Sequence, residues 1–138
     1  MKGQYLTLEW TFFFGVGVTL VILVFMMFTT IDDTYRETVI KLQLQRSGEI
    51  IRSGIVNSFE SSKSSGEATQ MNVSIPAQLS RCLYTIEVSD KLYLKCVGSE
   101  NLKAVLSLYG INTNSQDIIY STNGIVKITA SNGAVQLS

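Results

Sequence analysis

Residues 10–31 read WTFFFGVGVTLVILVFMMFTTI, and none of the 22 positions between Glu9 and Asp32 carries a charge. As an α-helix this stretch is about 33 Å long at ~1.5 Å per residue, one hydrocarbon thickness. A buried helix of a soluble domain rarely runs so far without a charge. A cleaved secretory signal has an apolar stretch of only ~7–15 residues before a small-residue cleavage site. Here the stretch runs instead into Thr29-Thr30-Ile31-Asp32-Asp33. The segment is therefore expected to stay with the mature chain as a single membrane span. Lys2 lies on the short amino side, and Asp32 and Asp33 open the other. Positive charge is retained in the cytoplasm, so residues 32–138 are expected to face outward.

The rest of the composition restricts function. The chain of 138 residues has 11 basic and 11 acidic side chains and no histidine. With Lys2 and Glu9 set aside, residues 32–138 carry 10 of each sign and no net charge. Nucleic acid requires clustered cations to displace counterions, so no nucleic-acid partner is expected. Without histidine there is neither a histidine-dependent triad nor an imidazole–zinc site. The sequence has no Gly-rich phosphate loop, no carboxylates spaced as in a calcium loop and no basic patch. No catalytic residue, cofactor or metal is expected, and the chain is read as a non-enzyme.

Past the span, IDDTYRETVIKLQLQRSGEIIRSGIVNSF (residues 31–59) contains no proline. Its apolar positions Tyr35, Val39/Ile40, Leu44, Ile51, Ile55 and Phe59 recur in steps that fit one helical face. The expectation is a single helix of roughly 50 residues, apolar all round and then amphipathic, its stripe packed on the carboxy-terminal domain. Gly48 and Gly54 each cost ~1 kcal/mol relative to alanine, which predicts a bend or close packing beside them. SSKSSGEATQ, residues 61–70, reads as a flexible connector.

Residues 71–138 read as β structure. Strands are expected at 71–75, at 83–88 and 92–95 around a Ser89-Asp90-Lys91 turn, and at 102–109, where a short helix is the alternative. Asn123-Gly124 and Asn132-Gly133 each suit a tight turn with positive φ, predicting a terminal three-stranded meander over 117–137. The expected fold class is α+β, a long hydrophobic-to-amphipathic helix packed on a small antiparallel sheet. A β domain of this size falls below the ~70–80 residues at which one core suffices alone. The helix supplies one support. Cys82 and Cys96 supply another: they bracket the hairpin, and a fold about Ser89 sets them opposite one another. Two buried thiols are the other reading; an outward-facing pair in even number favours a disulfide. Asn72-Val73-Ser74 is the one N-glycosylation sequon, accessible at the edge of the connector. Tyr84, Tyr93, Tyr109 and Tyr120 read either as an adhesive face or, more commonly, as cross-strand packing.

Glu9 is unusual, a carboxylate at the edge of an apolar run where an unpaired charge is costly. It reads either as an interfacial residue reaching headgroups or as one half of a pair with a cation from another chain. Met1-Lys2-Gly3-Gln4, followed by a glutamate in the first turns of a long apolar helix, resembles the class III signal peptide of archaeal type IV pilins and pilin-like proteins. The resemblance implies cleavage after Gly3 by a prepilin-type peptidase, leaving Gln4 as the amino terminus. Thr7 and Glu9 would fill the family's hydroxyl and glutamate positions, with Glu9 one place later than usual. The head is similar to the same group at V-S-I-P-A-Q-L (73–79), Y-T-I-E-V and I-V-K-I.

The implied organisation is a signal peptide at 1–3, a membrane or filament-core helix at 4–31, an amphipathic helix at 32–60, a connector at 61–70 and an extracellular β domain at 71–138. Implied partners are further copies or other pilins, the peptidase, a pilus assembly platform, and the membrane before assembly. Glu9 would neutralise the amino group of Gln4 on a neighbour, and Gly15 and Gly17 would let helices approach closely. The rival reading is a single-pass anchored protein that never polymerises, such as an archaellum stator or an S-layer-binding component.

Overall fold

A computed structural model describes residues 2–113 and 118–138, with side chains from Thr7 onward. The chain divides into two compact units, residues 1–36 and 37–138. The architecture is α+β: one long amino-terminal helix whose second half packs on antiparallel-rich sheets.

Helix α1 spans Lys2–Ser65, 64 residues. It outruns the expected length because the serine tract is helical rather than a connector. The Ser64 and Ser65 hydroxyls donate to the Ser61 carbonyl at 3.1 and 2.9 Å. Ser62 is buried against the head, and that tertiary contact outweighs serine's preference for turns. The helix stops at Gly66, whose φ of 70° supplies the left-handed residue and whose N–H returns to the Ser62 carbonyl at 3.0 Å. The connector thus shrinks to residues 66–68.

Among the described residues the second unit holds two four-stranded sheets. Strands β1 (Thr69–Ser74), β7 (Ile125–Ser131), β8 (Ala134–Leu137) and β5 (Asn112–Thr113) form the first, in that order. Strands β4 (Ser99–Ser107), β3 (Lys91–Cys96), β2 (Tyr84–Val88) and β6 (Ile118–Tyr120) form the second. All pairings are antiparallel except the short β5–β8 ladder. Strands β2, β3, β7 and β8 alternate, with Ile86 and Val88, Leu92 and Leu94, Val126 and Ile128 turned into a core shared with Leu44, Ile51 and Ile55 of α1.

Two glycines set the helix against both sheets. A Cβ on Gly48 would lie 2.5 Å from Leu106 Cδ1 and 3.0 Å from Leu94 Cδ1, both in the β4–β3 sheet. A Cβ on Gly54 would lie 2.7 Å from Val73 Cγ2 and 2.9 Å from Ile128 Cδ1, in the β1–β7 sheet. The expected close packing is present, one glycine for each sheet, within an uninterrupted helix. Ser47 and Ser58 are buried on the same stripe; the apolar periodicity missed them because serine is not counted as a core residue.

The β2–β3 hairpin turns where expected, but its register is centred on Asp90: Val88 faces Leu92 and Tyr84 faces Cys96. Strand β4 confirms the strand reading of its segment over the helical one. The terminal meander is corrected. Asn132 and Gly133, with φ of 50° and 76°, do close the β7–β8 hairpin. Asn123-Gly124 does not close one, because a single 3-10 turn, Ser121–Asn123, ends on Gly124 in the left-handed region. That turn carries the chain out of the second sheet, where β6 pairs with β2, into the first. Asp117, the expected start of that strand, lies outside the described residues.

Candidate assembly surfaces

Within its unit, the apolar half of α1 has no covering among the described residues. From Leu8 to Ile31 the large apolar side chains are between 42% and 74% exposed. Its most apolar window has a mean hydropathy of 2.5 and is 0% buried, so this is a helix long and apolar enough to cross a membrane. Its hydroxyls are satisfied internally, as a lipid or apolar protein environment requires. Thr11 donates to the Thr7 carbonyl and Thr19 to the Gly15 carbonyl, each at 2.8 Å, and Thr29 and Thr30 both donate to the Met26 carbonyl. At Gly15 and Gly17 an added Cβ would meet nothing within 4 Å. In contrast to Gly48 and Gly54, these two glycines have no close packing neighbour within their unit among the described residues.

Glu9 is exposed and makes no ion pair among the described residues. The backbone at Lys2, Gly3 and Gln4 is helical, while Met1 and the side chains of residues 2–6 lie outside the described residues. On the head, Asn72 is exposed on β1, which among the described residues is an edge strand paired with β7, so the sequon sits in a strand rather than at the margin of a connector. Cys82 and Cys96 form a disulfide with Cα atoms 5.9 Å apart. Because of the Asp90-centred register, Cys82 lies two positions before the residue facing Cys96, and the bridge runs diagonally from the loop to the end of β3.

That loop is held by more than the disulfide. Ser80 and Arg81 take φ of 46° and 72°, with Leu79 and Cys82 exchanging backbone hydrogen bonds at 2.9 and 2.8 Å. The Ser80 hydroxyl donates to Gln43 Oε1 of α1 at 3.1 Å. Tyr84 is fully buried, its hydroxyl donating to the Pro76 carbonyl at 2.7 Å, and its N–H meets the buried Ser121 Oγ at 3.2 Å. Ser121 passes a hydrogen bond to the Ala77 carbonyl. Burial raises the Tyr84 phenol above its ordinary pKa, and a hydrogen bond with Ser47 partly offsets that rise.

The four tyrosines do not share a face. Tyr84 is core, whereas Tyr109 is 74% exposed beside Arg52, whose guanidinium lies 5.5 Å from the ring centroid. Tyr93 and Tyr120 do share the outer face of the second sheet. There the pairings place Ile118, Glu87, Tyr93 and Val105 in one row and Tyr120, Thr85, Lys95 and Lys103 in the next. Lys95 Nζ sits 3.1 Å from Glu87 Oε2 and 5.8 Å from the Tyr93 centroid. The corresponding face of the first sheet carries little charge: Gln70, Thr129 and Gln136 form one row, Asn72 faces Lys127, and Ser74 faces the exposed Ile125.

Compared with protein-family models, curated proteins and solved structures, the chain matched none.

Proposed function

We propose that this chain is a structural subunit of an archaeal type IV pilus-like surface filament, processed after Gly3 and assembled through its apolar helix. The observation that carries the reading is the contrast within α1. The second half is seated on the head through Leu44, Ile51 and Ile55, while the first half buries none of its most apolar window. An apolar helix of that length stays in lipid or in a bundle of like helices. Gly15 and Gly17 support the second environment, because each costs helix stability with no contact in return within its unit among the described residues. In that setting Glu9 neutralises the amino group of Gln4 on a neighbouring copy. Before assembly the subunit is a single-pass membrane protein with its head outside; afterwards the disulfide-bonded head forms the filament exterior and is the part available for adhesion.

Amino-terminal sequencing of the mature protein tests the processing. A chain beginning at Gln4 is expected, and an intact Met1 overturns the reading. Sheared surface fibres containing the chain are the second expected result. Recovery of the chain in the membrane fraction alone marks it as a non-polymerising anchored protein. A Glu9→Ala chain that still yields normal fibres removes the role given to Glu9.

A further inference from the structure

We propose that the outer face of the β4-β3-β2-β6 sheet docks a second copy of this chain, receiving the acidic pair Asp32-Asp33 of that copy's helix. The inference deepens the filament reading and rests on it for the open-ended assembly it describes. Lys95 and Lys103 face each other directly across β3 and β4. Like charges in that position are destabilising, so the isolated head carries an unfavourable pair. Glu87 answers Lys95, and Lys103 makes no ion pair among the described residues.

The helix shows the same arrangement with the sign reversed. Asp32 is answered by Arg36 at 2.9 Å, and Asp33 beside it makes no ion pair among the described residues. Each patch is a compensated charge next to an uncompensated like charge, and each supplies what the other lacks. Apolar surface accompanies the lysines, since Tyr120, Val105 and Ile118 are exposed around them. The two patches differ, so the contact is heterologous and propagates rather than closing as a twofold dimer.

Carbodiimide, which joins an ammonium directly to a carboxylate, tests the contact on the full chain in its membranes and in any sheared fibres, using mixed light and heavy isotope populations. Expected are mixed-isotope peptides linking Lys95 or Lys103 to Asp32 or Asp33. Their yield is expected to fall at least about tenfold in Lys103→Glu and to return, with the linkage reversed, in Lys103→Glu combined with Asp33→Lys. Links confined to single-isotope chains, no links, or links indifferent to Lys103→Glu overturn the proposal. Fibres without the link overturn this contact and leave the filament reading standing. Mixed-isotope links in membranes that yield no fibres support the contact and overturn the filament reading.

Discussion

The hydroxyl of Tyr84 donates to the carbonyl oxygen of Pro76 across 2.7 Å inside the head. With Ser47 on the same phenol and Ser121 on the Tyr84 N–H, this residue ties helix, β2, proline loop and 3-10 turn together. Tyr84→Phe keeps the ring and strands the Pro76 carbonyl, so a loss of about 1–3 kcal/mol is expected in denaturant unfolding. The titration carries a sign as well. The folded pKa is raised above the ordinary 10.0, so this contribution is fully present below pH 10 and is lost as pH rises through the folded value. Alkaline titration followed by phenolate absorbance should show one tyrosine ionising late, together with unfolding, and that late step should be missing in Tyr84→Phe.

The helix glycines should respond unequally to alanine. Each substitution gains about 1 kcal/mol of helix propensity. At Gly48 the new methyl meets the Cδ1 ends of Leu106 and Leu94, which can turn aside. At Gly54 it meets Val73 Cγ2, a branched side chain with little χ1 freedom. Gly54→Ala is therefore expected to lose about 1–2 kcal/mol net, and Gly48→Ala to stay within about 1 kcal/mol of the parent. Thermal unfolding of the two variants side by side checks the order. Equal effects would mean that the β1–β7 sheet yields as readily as the leucines.

These positions also show what was legible in the sequence. The α+β class, the uncharged span, the β2–β3 hairpin and the Asn132-Gly133 turn all follow from period, charge and turn chemistry. Three things did not. Ser47, Ser58 and Ser62 are buried because helix and sheets approach closely, which hydropathy cannot register. Asn123-Gly124 supplies the positive φ its composition promises, at Gly124, but uses it to change sheets, a choice decided by which strands β6 and β7 find as partners. Ser80-Arg81 and Tyr109-Gly110 adopt positive φ as Asn132-Gly133 does, and neither advertises it at its first residue. The bare helix and the lysines opposed across β3 and β4 differ in this respect. The first is plain from charge spacing, and the second emerges only from register.

The disulfide closes a short loop in a head that has little core to spare. With 14 residues of separation, bridging Cys82 and Cys96 is expected to stabilise the head by about 2–4 kcal/mol, chiefly by restricting the unfolded chain. A Cys82→Ser/Cys96→Ser chain should unfold at correspondingly lower denaturant and still show the far-ultraviolet signature of helix and sheet. Reduction of the parent protein should reproduce the loss. An unchanged midpoint would place the loop's stability in the Leu79–Cys82 bridge and the Ser80–Gln43 contact instead.

Ser58 points the other way, toward a substitution that should stabilise. Its side chain is buried on the helix stripe, and Oγ has no hydrogen-bond partner among the described residues. A buried hydroxyl without a partner carries its full desolvation cost, and alanine is the better helix former. Ser58→Ala removes the orphaned oxygen and one atom of volume, so the cavity it leaves is small beside the polar group it relieves. A gain of about 0.5–2 kcal/mol is expected. Ser62→Ala, at a less completely buried position on the same stripe, should gain less, and denaturant midpoints measured together make the comparison. A loss of stability in Ser58→Ala would mean that a buried water bonds this hydroxyl at the helix–sheet seam.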